Sequence, residues 1–309
     1  MYASRKPSQP MTNTLAAYCR ILSLAILSTL LSELVLAGTA EKILPVSAKE
    51  IVLRAAPFLS PVLMRGWWEP LREHIHAQAG MSVRISTSPN FVEILSDSAD
   101  SRYNLYLVPL HFVPLLISKY SANAMTAINL KGYPELIYHK DLDIKNIEEL
   151  RNGCIAMPHE IMWSSIYAKK WLAEKGLSAF VDYQPVHLTT FQEVVMKVFS
   201  GQCDLGVVNS VLPKNLPITI KNTFKTLDIY QQEEISGGMG ILARKNFDSN
   251  LTRSIQDALL SFGKTESSAH HLSSPLYAVP TILDQKNLED LVQKYQAIQP
   301  LLSGYLPIE

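Results

Sequence analysis

Much that would announce an activity is missing from this chain. Its 309 residues carry 28 basic and 28 acidic side chains, so no charge excess points to nucleic acid. No G-x-S-x-G elbow, Walker loop or Cys-x-x-Cys pair occurs, and no nucleophile has a base that the sequence pattern places beside it. Gly238-Met239-Gly240-Ile241-Leu242-Ala243 fits G-x-G-x-x-A, but it opens a strand instead of joining a strand to a helix, which removes a nucleotide role. His159-Glu160 begins H-E-x-x-H, yet Trp163 stands where the second His belongs, so the zinc site is lost. His270-His271 sits among serines and reads as a polar loop, while His74 and His76 are two apart and do not share a helix face. These absences together predict a non-enzyme without metal or cofactor.

Long apolar runs are also scarce. The main one, Ile21 to Leu31, follows Arg5, Lys6 and Arg20 and precedes the small residues Ala37-Gly38-Thr39-Ala40, with no acid before Glu33. A basic start, an apolar middle and a small-residue exit describe a secretory signal peptide, with cleavage expected after Ala40 and Ala37 as the second choice. Met11 is an alternative initiator that would leave Arg20 as the basic part. An uncleaved anchor is the competing reading, but Ser32-Glu33 would place a charge well inside the bilayer. Glu41 and Lys42 follow where a lipoprotein would need Cys. Removing residues 1–40 takes three basic residues and one acid, so the expected mature chain has a net formal charge of −2.

Cysteine is rare, with three in the whole chain. Cys19 lies in the expected leader, which leaves Cys154 and Cys203 in a compartment that permits disulfides. Both stand near strand starts of one β-α pair, and a bridge forms if those strands are neighbours; two small buried thiols are the other reading.

What the chain does have is rhythm. Between Asn146 and Asn209, a short turn ending at Gly153 runs into the apolar strand Cys154–Met157. A helix to Lys175, a strand at Pro185–Leu188, a helix from Thr190 to Ser200 and a strand at Asp204–Asn209 follow. Helices alternating with short apolar strands predict a parallel sheet, which binds ligands at the carboxyl ends of its strands. The same rhythm occupies Glu50–Pro109: a strand ended by Pro57, a helix holding Trp67 and Trp68, a strand at Val83–Thr87, a helix start at Phe91–Leu95 and a strand at Tyr103–Pro109. Extended segments at Ala124–Leu130, Pro134–His139 and Gly240–Arg244 lie between and after these units. The expected architecture is α/β in two lobes, residues 41–134 plus 230–309 and residues 135–229, with a double crossover that acts as a hinge.

Candidate ligand contacts follow from strand ends. Phe58, Ser60, Tyr106, His111, Thr189, Thr190, Asn209 and Ser210 lie at or just past them. Met157 to Ser165 joins a strand to a helix whose N-terminal N–H groups attract an anion or carbonyl oxygen, with His159, Ser164 and Ser165 as further candidates; a plain N-cap is the structural alternative. Trp67, Trp68 and Trp171 read as packing residues, and Trp163 stands nearer the mouth.

Lys145 to Ala156 resembles the "helix, Leu, x, Gly, strand" approach to the second lobe of type II periplasmic solute-binding proteins. Val194 to Val208 is similar to their "G-x-x-D-x-G" strand. The phosphate and phosphonate (PhnD-like) binding components of ABC transporters fit best: Ala56–Pro61 is similar to their first loop, Trp68-Glu69-Pro70-Leu71 to their "w-x-P-L" helix, and Tyr103–Pro109 to their "Y-D-L…P" strand. The resemblance implies a monomeric periplasmic protein that captures a small solute by hinge closure and delivers it to an ABC permease, or, alternatively, signals its capture to a membrane sensor. It departs from the family at the ligand. His159-Glu160-Ile161-Met162-Trp163 precedes the serines where phosphonate binders place a Ser/Thr run, Thr190 or Phe191 replaces a common His, and Asn209 replaces an acid.

Overall fold

A computed structural model describes residues 50–305, apart from 99, 130–131, 145, 148–150, 211, 213–215, 230–236, 266–267 and 269–277. The apolar run of the leader, the turn at 148–150 and His270-His271 lie outside the described residues.

The first lobe begins with β1 (Glu50–Ala55), α1 (Pro61–Ala79), β2 (Ser82–Thr87), α2 (Phe91–Asp97) and β3 (Leu105–Pro109). β1 pairs in parallel with both β2 and β3. A 3₁₀ turn at Leu110–Phe112 leads to α3 (Val113–Tyr120) and β4 (Asn123–Asn129). Much later β10 (Gly238–Ala243) returns antiparallel between β3 and β4, and β11 (Thr281–Ile282) closes the edge, giving the order β11-β4-β10-β3-β1-β2.

The second lobe is a separate sheet in the order β7-β6-β8-β5-β9. Its strands are β5 (Pro134–His139), β6 (Gly153–Pro158), β7 (Tyr183–Leu188), β8 (Leu205–Asn209) and β9 (Phe224–Asp228). Its helices are α4 (Trp163–Glu174), α5 (Phe191–Phe199) and the single turn α6 (Ile218–Lys221). α7 (Ser249–Ser261), α8 (Gln285–Lys294) and α9 (Gln299–Ser303) follow β10.

Local chemistry explains these elements. α1 starts with Pro61 in its first turn, where a missing N–H costs nothing, and stops at Gly80, whose φ of +66° few other residues adopt. Its buried residues Met64, Trp68, Leu71 and Ile75 recur every three or four positions and form one face against the sheet. α5 opens with a capping box: Thr190 Oγ1 accepts from the Glu193 N–H at 3.2 Å, while Glu193 Oε2 accepts from the Thr190 N–H at 2.8 Å. β3 and β10 are buried along their whole lengths, as inner strands covered on both faces should be. Arg54, almost wholly buried on β1, is compensated by Asp97 at 2.6 Å, Ser86 Oγ and the Thr87 carbonyl.

Cys154 and Cys203 are joined by a disulfide at the starting ends of β6 and β8, with their Cα atoms 4.7 Å apart. Asp204 reinforces the junction, accepting from the Cys154 N–H at 2.7 Å and donating its own N–H to the Cys154 carbonyl at 3.0 Å.

The chain crosses between the sheets twice, after β4 and before β10. The two crossing segments touch: the Gly237 N–H donates to the Gly132 carbonyl at 2.9 Å. Close approach crowds both positions, most firmly at Gly237, which faces a rigid ring. A side chain at Gly132 would collide with the Asn209 carboxamide, and one at Gly237 with the Trp163 indole.

Candidate ligand cleft

The carboxyl ends of the parallel strands of both sheets face a cavity of about 60 Å³ between the lobes. Phe58, Leu59, Trp67, Gly238 and Met239 line it from the first lobe. Met162, Trp163, Phe191, Asn209 and Leu212 line it from the second. No lysine, arginine, aspartate or glutamate is among these residues, and four of the ten are aromatic.

Local structure fixes each wall. Phe58 sits in the short loop between β1 and α1, its ring packed edge-on against Phe91 with centroids 5.5 Å apart. Trp67 lies two turns into α1. Trp163 opens α4, and Phe191 is the first residue of α5, directly behind the capping box. Asn209 ends β8.

The lobes also bond to each other directly. The Ser60 N–H, at the start of α1, donates to Gln192 Oε1 at 3.0 Å, and the Phe191 N–H, at the start of α5, donates to the Phe58 carbonyl at 3.4 Å. Two helix N-termini that face the cleft are thus each engaged by the opposite lobe. Deeper in, His111 Nε2 donates to the Ile161 carbonyl at 3.0 Å. His111 is wholly buried against Phe112 and Tyr295, and burial pushes its pKa down to about 3, against a small opposing effect of the Ile161 bond. It is neutral at ordinary pH, and Nδ1 has no partner among the described residues.

A second group of ionisable residues stands beside the cleft. Glu160 accepts from the Tyr305 hydroxyl, which holds its carboxyl below the usual range. Burial lowers His159, His187 and Lys169, with Glu160 opposing the shift in each. Ser165 Oγ donates to the Pro158 carbonyl at 2.8 Å, and His187 Nδ1 lies 2.9 Å from the same oxygen. Ser164 Oγ, wholly buried in the first turn of α4, has no partner among the described residues. Among the described residues no group of three metal-ligating side chains converges.

The predicted contacts therefore separate. Phe58 and Asn209 line the cavity, and Ser60 adjoins it through its backbone bond to Gln192. Tyr106 is not at the cavity: it is 0 % exposed, and its hydroxyl donates to the Asp97 and Asp100 carbonyls. His111 is an interlobe core residue, Thr190 is the α5 cap, and Ser165 bonds its own strand end. His159 packs near Phe91 and Tyr305 at one side of the cleft. Sequence reasoning read Trp67 as a packing residue and did not offer Phe191, Gly238 or Met239 as contacts. Phe191 carried a readable signal, because the first residue after an N-cap at a strand end points into the mouth; Gly238 and Met239 arrive only through the second crossover.

Two sheets linked by paired crossovers around an interlobe cavity define the two-lobed solute-binding class. This chain belongs to the family described as ABC transporter, phosphonate, periplasmic substrate-binding protein, whose pattern matches residues 53–278. Such proteins are the solute-capturing components of transporters, working with a membrane permease, and are not enzymes. A binding protein component of an ABC phosphonate transporter from Pseudomonas aeruginosa has the same fold at TM-score 0.66 and 14% identity, over 83% of this chain and 96% of that one. PhnD1 from Prochlorococcus marinus, in complex with methylphosphonate, matches at 0.65 and 14%, over 80% and 98%. The alkanesulfonate-binding protein SsuA from Xanthomonas axonopodis pv. citri, bound to MOPS, matches at 0.58 and 12%, over 84% and 95%. A comparison with curated proteins gives no match. Among the described residues no helix is long and apolar enough to cross a membrane.

Proposed function

We propose that this chain captures a small polar solute of the phosphonate and phosphate kind by closing its lobes about the cavity between Phe58 and Trp163, and hands it to its permease. The observation that carries the reading is the joint construction of that cavity, to which each lobe contributes one wall and across which backbone amides already bond. Closing such a cleft removes water from the solute, and a few groups then select it by shape and hydrogen bonding. The start of α4 supports an anionic end on the solute: Trp163, Ser164 and Ser165 supply the first-turn amides of the helix, and Ser164 adds a buried hydroxyl without a partner among the described residues. The paired crossovers act as the hinge, and the protein works as a monomer in the periplasm after loss of residues 1–40.

A thermal-shift screen of the full chain with phosphate, phosphite, phosphonates, amino acids and small carboxylates tests this, since a ligand specific to the folded state raises the melting temperature. A shift with one class and its loss in Trp163→Leu supports capture in this cleft. Shifts that survive both Trp163→Leu and Phe58→Leu place the solute elsewhere and end the proposal.

A further inference from the structure

The cavity is an odd place for an anion. Phe58, Trp67, Trp163 and Phe191 surround it from both lobes, Met162 and Met239 fill between them, and Asn209 brings the one carboxamide among the described lining residues. An aromatic face carries negative partial charge, so it disfavours a phosphonate oxygen and attracts a cation. An ordinary polar group fares little better there. A hydroxyl or amine taken from water without a hydrogen-bond partner loses its favourable hydration, and an oxyanion loses far more; Asn209 is the one side-chain amide among the described lining residues.

One kind of water-soluble group escapes that penalty. A fully alkylated ammonium has no N–H to satisfy, wears its charge beneath methyl groups, and gains from aromatic faces and polarisable sulfur on every side. The volume is consistent with a compact group, because about 60 Å³ of cavity is several times the roughly 15 Å³ that one water requires.

We propose that the solute carries a methylated ammonium group, held in the cage of Phe58, Trp67, Trp163 and Phe191. The inference rests on the reading of this cleft as the solute site, and it adds the chemistry of one end of the solute. Nothing in it depends on the anionic end assigned to the start of α4, so the two ends are tested apart.

The probes are choline, its uncharged carbon isostere 3,3-dimethylbutan-1-ol, and methylphosphonate, titrated into the full chain while tryptophan fluorescence is read. Choline is expected to bind, with the isostere weaker by about tenfold, the size of a cation–π contribution. Phe58→Leu and Phe191→Leu are each expected to weaken choline by about tenfold while leaving the melting temperature of the unliganded protein within a few degrees; the two variants guard against one that folds poorly. Equal binding of choline and the isostere overturns the cationic assignment. Binding of methylphosphonate without choline overturns the cage and leaves the capture reading standing. Binding of none of the three also overturns the cage, and native mass spectrometry of solute carried through purification then decides the capture reading separately.

Discussion

The two ends of the second lobe are built on opposite principles. At the starting ends of β6 and β8 a covalent bridge, Cys154–Cys203, is backed by two hydrogen bonds to Asp204. At the finishing ends of the same strands lie Asn209, the buried hydroxyl of Ser164 and the aromatic wall of the cleft. Among the described residues the Ser164 hydroxyl at the finishing end has no partner, while the starting end is tied covalently. Unsatisfied polar groups and exposed aromatic faces destabilise a fold, so they concentrate where a partner from outside completes them. The bridge fixes the strands at one end, leaving the geometry of the other to be decided by loops, helix starts and the opposite lobe.

The comparison breaks most sharply at the bridge. A cross-link between residues 49 apart in sequence restricts the unfolded chain by about 4 kcal/mol on the loop-entropy account. Replacing both cysteines with serine should therefore lower the urea midpoint strongly while leaving the cavity's ligand preference unchanged. An unchanged midpoint, or two free thiols by mass spectrometry of the untreated protein, would refute the claim that this end is the anchored one.

Between the lobes, His111 gives the next largest effect. Its pKa falls from about 6.5 in an unfolded chain to about 3 in its buried site, so the neutral form is the one the fold stabilises. That stability is fully present above pH 6.5 and is lost as pH falls toward 3, amounting to about 2 kcal/mol by pH 5. His74, His159 and His187 shift in the same direction, so the test is the difference that His111→Gln makes. The variant should show a flatter fall in denaturation midpoint between pH 7 and 5, and an identical slope would count against the buried imidazole as the cause.

The smallest effect belongs to the mouth of the cleft. Gln192→Met keeps the side chain's length but removes the acceptor of the Ser60 N–H, a loss of about 1 kcal/mol from lobe closure. Solution scattering should show a larger mean radius for the variant. An unchanged profile would mean that the bond contributes nothing to holding the lobes together.

Sequence reasoning read the fold better than the site, and the reasons are physical. Strands β1, β3, β6 and β8 are short apolar runs, with β6 opened by Gly153 and closed by Pro158, and α5 carries both its cap and its apolar face within nine residues. β9 escaped because it is an exposed edge strand, Phe224-Lys225-Thr226-Leu227-Asp228, with no inward row to betray it. Tyr106 went astray for a different reason. A strand end reveals how deep a residue lies but not which face it takes, and Tyr106 shares the face of Val108 toward Phe91 and Phe112, while Leu105 and Leu107 point to the other core. Trp67 read as helix packing because its partner wall, Trp163 and Leu212, lies about a hundred or more residues away in sequence. Contacts assembled by two crossovers leave no local pattern.

The bonds from Ser60 to Gln192 and from Phe191 to Phe58 use only atoms of the protein itself. They tie the starts of two helices, one from each lobe, to the opposite wall of the cavity. A substitution at Gln192 or Phe58 would therefore act on the wall and on the lobe contact at once, so a loss of solute affinity there reports on both.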